Sequence, residues 1–488
     1  MNETSDGTIS TTWEVGDFIW VKYKNTSNED VEAQATVTSV DGSGNATISV
    51  TMTDPKDATT ITFGFPYNYW NDDKDLKTGQ IGTLDNIKEN YAASSGTGTL
   101  TVSGGVATLP TGVTMTPSIC IWKFSLKDGA TDITSSVTTL SIFLGTDSGS
   151  EKYVVKPSSL SDIYVALNGS ATTKFVSIAA LTATKAYMKE KSGVTLVSGK
   201  LYRSEGLLMD EVHVFSVSAT KRVVFSKGNL QATTTDKGAN WTWGFAAHQY
   251  DFIGNAAANN AVSGNKYVSA NGTVDLFGFS TSSTYYGIHN STSAGDFSGD
   301  FVDWGNNNIG GQGVNYWRTL SESEWQYIVG EDVYRNTGGT VAGVENALCT
   351  KATINGIKGF ILFPDHYSGL TPSGVTWNPS SIGYTDMGSP SAVTGWGATV
   401  NTITAWEALE AEGCVFLPVA FIRYGNILLY HPDCPYSGYT DPRGYYSSST
   451  IRDANTIFTL RFSNAGFDPN EFFNKSYGYS VRLVHELD

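Results

Sequence analysis

The chain has 488 residues, enough for two to four domains at about 100–200 residues each. Hydrophobic residues make up 40% and charged residues only 16%, while 51 Gly, 25 Tyr, 23 Phe and 12 Trp favour strands and aromatic loops over Lys/Glu-rich helices. With 31 basic against 47 acidic residues the formal charge is −16, which repels phosphate backbones and anionic lipid and excludes nucleic acid as an expected partner.

From Thr11 to about Met209 the chain reads as short alternating runs between turn clusters: Phe18–Tyr23, Ala46–Val50, Ile119–Phe124 and Asp162–Leu167. Asp41-Gly42-Ser43-Gly44 and Ser103-Gly104-Gly105 supply residues suited to positive φ in hairpin connections. The pattern predicts a mainly β N-terminal region of antiparallel sandwich type. Its 200 residues exceed one compact sandwich, so two are expected, with a seam near Pro110–Pro117.

Near Glu211 the character changes, and Trp, Asn and Gly become dense. Ser321 as N-cap, Glu324 three residues on and Leu320 with Trp325 as staple predict a helix whose Trp325, Ile328 and Val329 share one face. A second helix is expected to start at Thr404, with Glu407 in the box position, and to stop at Gly413 before the strand-like Cys414–Pro418. Two helices among many strands make this half α+β. The domains expected are therefore 1–212 and 213–488.

No apolar run approaches the ~18–20 residues of a spanning helix, and Met1–Asp6 has neither a basic nor an apolar signal region. A cytosolic protein, or an exported one whose leader is absent from this sequence, are the alternatives. Cys120, Cys349, Cys414 and Cys434 lack zinc-type or CxxC spacing; Cys414 and Cys434 either close one loop or stay thiols.

The ordered stretches Val224–Gln231, Phe245–Gly254, Asp275–Ser282, Trp317–Trp325, Glu412–Pro418, Gly444–Thr450 and Tyr477–Val484 resemble a domain of Bacteroidetes surface proteins. That domain is related to the formylglycine-generating-enzyme branch of the C-type-lectin-like fold. Trp13–Ile19, Gly82–Asp85, Ile163–Leu167 and Ser198–Tyr202 make the N-terminal half similar to the fimbrillins of Bacteroidetes pili. Together they resemble the tip subunits of such pili. The resemblance implies export as a lipoprotein to the cell surface (outer membrane and fimbrium), and polymerisation with other fimbrial subunits by strand donation.

The resemblance does not carry over the enzymatic chemistry of that branch, which needs a reactive cysteine pair near the C-terminal strands. The stretch Arg443–Asp453 has Tyr and Ser and no Cys. There is no HExxH, GxSxG elbow, Walker loop or GxGxxG after a strand, and the six histidines are scattered, so no enzyme is expected. Of the motifs that hold calcium in C-type lectins, Trp70-Asn71-Asp72 falls in the wrong half and is expected in a loop. Asp468-Pro469-Asn470 stands without a completing partner. Asp296, Asp300 and Asp303, beside Asn306–Asn308, form the most oxygen-rich loop and are the candidate cation ligands, with calcium as the only cofactor considered.

Metal-free glycan binding needs an aromatic plane and a few amides or carboxylates in a shallow groove. Tyr424, Asn426, Tyr430, His431, Asp433, Tyr436, Tyr439 and Asp441 offer this mixture on one loop, and Asp365, His366, Tyr367, Trp377 and Trp396 on another. Trp317, Trp325 and Trp406 are assigned to the core. The expected function is a non-enzymatic surface adhesin with a sandwich base and a head that binds a host or bacterial surface ligand, glycans included. The alternatives are a glycan-binding protein of a nutrient-uptake system and a passive pilus cap.

Overall fold

The computed structural model describes residues 2–3, 9–10, 12–254, 259, 262–267, 269, 271–330, 335, 337, 339–384, 395–431, 438 and 441–488. Two compact units emerge: Met1–Leu144 with Glu151–Glu211, and Gly145–Ser150 with Val212–Asp488.

Unit 1 is built on strands whose side chains alternate as the sequence pattern requires. Phe18–Lys24 sits between Asp30–Val40 and Thr60–Phe65 in a six-stranded antiparallel sheet that ends on Ala46–Val50 at one edge and Thr116–Pro117 at the other. Ile19, Val21 and Tyr23 face one core with Val37, Ile61 and Phe63. On the opposite face Trp20 stacks on Trp70, 5.5 Å between centroids. Trp70 belongs to the short helix Tyr67–Asn71, so Trp70-Asn71-Asp72 enters a helix and its end rather than the expected loop. Gly64 makes the approach feasible, because a Cβ there would meet the Trp70 ring at 2.6 Å. Both expected hairpins form: Gly44 has φ 84°, and Gly104 and Gly105, at 59° and 78°, turn Thr101–Ser103 into Val106–Thr108.

After Ser118 the chain forms two facing sheets. In one, Ile119–Asp128 pairs antiparallel with Ile163–Asn168 and parallel with Leu201–Leu208. The other runs Ser150–Val155, Thr139–Gly145, Ser170–Leu181, Ala186–Leu196, Asp210–Val212. Phe124, Leu126 and Val165 from the first meet Leu140, Ile142, Tyr153 and Ile178 from the second in one core, as in a sandwich. Unit 1 is mainly β, with one further helix, Leu84–Asn90, capped by Thr83, whose Oγ1 accepts the Asn86 N–H at 3.2 Å.

Unit 2 mixes short sheets with long irregular connections. Its C-terminal strand Leu483–Glu486 lies between Arg222–Phe225 and Arg318–Thr319, bringing the beginning, middle and end of the unit into one sheet. A larger sheet centres on Ala347–Ile354 and Ile357–Leu362, and a third joins Gly444–Ile451, Thr456–Ser463 and Gly466–Asn474. Among the described residues of unit 2 there are two α-helices. Glu322–Val329 has the expected reciprocal box: Ser321 Oγ accepts from Glu324 N at 3.2 Å and Glu324 accepts from Ser321 N at 2.8 Å. The second, Ile403–Ala411, starts two residues earlier than expected. Thr402, not Thr404, caps it by accepting the Ala405 N–H at 3.1 Å, which turns Ala405, Trp406 and Leu409 into the core. Trp317, Trp325 and Trp406 are all buried.

Ser321→Ala removes one half of the box and should destabilise unit 2 by about 1 kcal/mol. Urea unfolding of the full chain checks this; an unchanged midpoint would show that the cap contributes nothing.

Candidate functional site

The strands Ile422–Tyr424 and Ile427–Leu429 form a two-stranded hairpin whose turn is Gly425-Asn426, with Gly425 at φ 58°. Arg423 pairs through its backbone with Gly478: its N–H donates to the Gly478 carbonyl at 3.0 Å and its carbonyl accepts the Gly478 N–H at 2.8 Å. The glycine at 478 gives the side chain room, since a Cβ there would stand 3.0 Å from Arg423 Cβ and Nε.

The Arg423 side chain is 1% exposed. Its Nη1 donates to Gly425 O at 3.3 Å, while Nε has no partner. Burial pushes the guanidinium down to about 10, so it stays charged at neutral pH. His289 lies within its electrostatic reach. Burial holds that imidazole below its usual range, the Arg423 charge adds to the effect, and Asp296 opposes it. Nδ1 of His289 accepts the Ser291 N–H at 2.9 Å, which assigns the proton of the neutral ring to Nε2.

Amides and aromatics surround this turn. Asn290 Nδ2 donates to Asn426 Oδ1 at 3.0 Å, and Asn290 Oδ1 accepts the Gly264 N–H at 2.8 Å. Tyr424, half-buried, meets Tyr477 edge-on at 5.1 Å. Ser476 Oγ donates to Thr292 O at 3.1 Å, tying the same segment to the loop of His289. Lys475, 3% exposed, carries its ammonium 5.4 Å from the Phe279 ring centroid.

Asp365 is buried and accepts from Arg335 Nη1 at 2.9 Å, from Ser216 N at 2.8 Å and from Ser216 Oγ at 2.6 Å. Arg335 also donates to the carbonyls of Ile328, Leu348 and Phe363, and its guanidinium stands 4.9 Å from the Phe215 ring. His366 is exposed at φ 58°, and Trp377, half-buried, donates to Thr371 Oγ1 at 2.9 Å and packs edge-on to Phe363. Trp396 lies under the ammonium groups of Lys358 and Lys351, at 5.6 and 6.0 Å. Tyr430 is buried, stacked on Tyr445 and covered by the Arg443 guanidinium at 4.4 Å. Asp433, Tyr436 and Tyr439 lie outside the described residues, as does Cys434, while Cys414 is a buried free thiol.

Of the candidate cation ligands, Asp303 accepts from Gly305 N, Thr319 N and Thr319 Oγ1, which fixes its carboxylate inside the fold, and burial raises its pKa. Asp296 accepts from Ser291 Oγ at 2.5 Å, and Asp300 is exposed. Among the described residues no group of three His, Cys, Asp or Glu is placed to hold a metal ion. Asp468-Pro469-Asn470 runs within the strand Gly466–Asn474, where Asn470 accepts from Gln326.

Unit 1 has a cleft of about 900 Å³ between the edge strand Ala46–Val50, the segment Leu109–Pro117 and the strand beginning at Ile119. Trp13, Ile19, Phe63, Val113, Met115 and Ile121 line it together with polar groups, among them Asn45, Thr47, Ser94, Thr114 and Lys200. Gly96 and Gly98 let Leu109–Met115 lie flat on their strand, since a Cβ at either would meet Val113 or Pro110 within 2.7 Å.

No family model matches the chain, and no curated protein matches it. Among solved structures, a crystal structure from Bacteroides uniformis, described as a "putative cell adhesion protein", is 12% identical over 41% of this chain and 88% of its own. Its TM-score of 0.25 is too low to carry an argument about fold or function.

Two predictions follow from the buried charges. Asp365→Ala should cost unit 2 about 3–5 kcal/mol by leaving Arg335 uncompensated; a stable variant with altered ligand binding would instead free Asp365 for recognition. Lys351, buried with its Nζ donating to Ser463 O and Asn464 O, is pushed down to about 8, chiefly by burial. Its unfolded form binds the proton more tightly, so stability relative to Lys351→Met should rise between pH 8 and 10.5, the Lys351 folded and reference values. Urea midpoints across that window check the sign.

Proposed function

We propose that the chain is a non-enzymatic cell-surface adhesin of a pilus tip, unit 1 serving as the base for assembly with other fimbrial subunits and unit 2 as a lectin-like head for a surface glycan. The observation that carries the reading is the cleft beside the edge strand Ala46–Val50, whose lining includes Trp13, Ile19, Phe63 and Val113. This strand pairs only with Asp30–Val40 among the described strands. A strand donated along its free side would satisfy the open N–H and C=O groups while its side chains packed on the apolar part of that lining.

In unit 2 the half-buried Tyr424 beside the amides of Asn426 and Asn290 supplies the mixture a sugar face and its hydroxyls need. The described thiols are unsuited to the thiolate chemistry of the formylglycine-generating branch. Cys120, Cys349 and Cys414 are buried, and burial raises all three well above the range of reactive thiolates.

The full chain is expected to bind glycans on a broad array, with Tyr424→Ala/Asn426→Ala abolishing the signal at unchanged thermal stability. Silence with and without calcium would favour the passive cap. Crosslinking to co-expressed fimbrial subunits, blocked by a charged residue at Ile48, is expected of a fibre component; glycan binding without any such capture would favour the nutrient-uptake alternative.

A further inference from the structure

Unit 2 buries several cations, and most of them have visible compensation. Arg335 has Asp365, Arg318 has Glu324 and Glu486, and Arg461 has Glu471. Arg482 lacks a carboxylate but donates to the carbonyls of Ser226, Gln249 and Phe416. Arg423 and Lys475 differ. Arg423 has one long hydrogen bond, to a carbonyl of its own turn, and its Nε is without a partner among the described residues, as is that of Arg482. Lys475 has only the face of Phe279. Neither forms an ion pair among the described residues, although the chain carries a net charge of −16 and has carboxylates to spare.

Arg423 is pinned by two backbone hydrogen bonds to Gly478, at the end of the segment Asn474–Gly478 to which Lys475 belongs. A buried guanidinium without a counter-charge is costly, and it is retained where a ligand supplies the charge. Its planar fork of N–H groups matches the paired oxygens of a carboxylate or sulfate. The neutral His289, with its proton on Nε2, and the amides of Asn290 and Asn426 border the same turn. The nearest negative side chain acting on His289 is Asp296, which is held by Ser291 Oγ.

We propose that the Gly425-Asn426 turn and the segment Asn474–Gly478 form a binding site for an oxyanion borne by a sugar chain, a carboxylate or a sulfate ester, with Arg423 as its anchoring cation and Lys475 as a second charge. The inference rests on the reading of unit 2 as a glycan-binding head and names the class of sugar that head takes. Tyr424 supplies the plane for the sugar ring, and because Arg423 is buried the turn must open for the anion, with loss of the Asn290–Asn426 hydrogen bond.

Calorimetric titration of the full chain with three probes tests it: tetragalacturonate for the carboxylate, a sulfated galactan tetrasaccharide for the sulfate, and the uncharged galactan tetrasaccharide. One anionic probe should bind and the uncharged probe should not, and Arg423→Gln should weaken binding about tenfold or more, the scale of a lost charge-assisted hydrogen bond. Because Arg423→Gln could disturb the fold, Asn426→Asp is the second variant. It sets a negative charge on an exposed residue of the turn and should weaken binding by a similar factor at unchanged thermal stability. Equal binding of charged and uncharged probes, or unaltered affinity in both variants, overturns the oxyanion site and leaves the glycan-binding head standing. Failure of all three probes together with binding of neutral glycans on the array does the same; failure of the probes with a silent array overturns both.

Discussion

The backbone of residues 478–486 is the constraint on which unit 2 depends. Within these nine positions Gly478 pairs with Arg423, Tyr479 exchanges two hydrogen bonds with Phe277, Ser480 reaches Tyr445, and the strand Leu483–Glu486 joins Arg222–Phe225 to Arg318–Thr319. Arg482 adds side-chain bonds to three carbonyls on separate segments. Much of the chain being joined is irregular and has no ladder of its own, so its buried polar groups must find partners in a common element. The last segment of the sequence supplies them. The same geometry places the candidate site, because Arg423 is fixed in depth by its pairing with Gly478 and by the missing Cβ there.

Local signals in the sequence translated well where a few adjacent residues decide the outcome. The Ser321–Glu324 box and the Gly104-Gly105 turn depend on bonds within three or four positions. The start of the second helix shows the limit of that reading. Thr402 and Thr404 are both able to cap, and the choice falls to the one that directs Ala405, Trp406 and Leu409 inward, a tertiary matter. The helix Tyr67–Asn71 has no side-chain cap and no buried run of its own; it exists because Trp70 stacks on Trp20, a partner fifty residues earlier, over a glycine that leaves room.

The site was legible only at its rim. Tyr424 and Asn426 stand out as an aromatic and an amide on a turn, whereas Arg423, Lys475 and His289 give no signal in one dimension. The interest of Arg423 and Lys475 lies in burial without an ion pair among the described residues, and that of His289 in its place near Arg423, neither of which sequence spacing can express. Several aromatics read as recognition residues have structural attachments instead: Tyr430 lies between Tyr445 and Arg443, and Trp377 is tied to Thr371 and Phe363. Long Gly- and Asn-rich connections bury little through regular packing, and an aromatic ring of roughly 150–250 Å² is an efficient anchor for them. An aromatic residue on a loop is therefore ambiguous until its neighbours are known.

The charge balance bears on the selectivity proposed for the site. A chain of net charge −16 repels anionic chains at long range, but at physiological ionic strength that repulsion is screened beyond about 8 Å. A guanidinium held away from solvent is much less screened, so the local attraction outlasts the global repulsion at contact distance. The combination disfavours loose association with any polyanion and favours an oxyanion that fits the turn, since only a ligand that reaches Arg423 recovers the cost of having left that charge unpaired. On the proposed reading neutral sugars gain nothing from Arg423. In the proposed site specificity comes from depth, because only a ligand that fits the turn reaches a cation held 1% exposed.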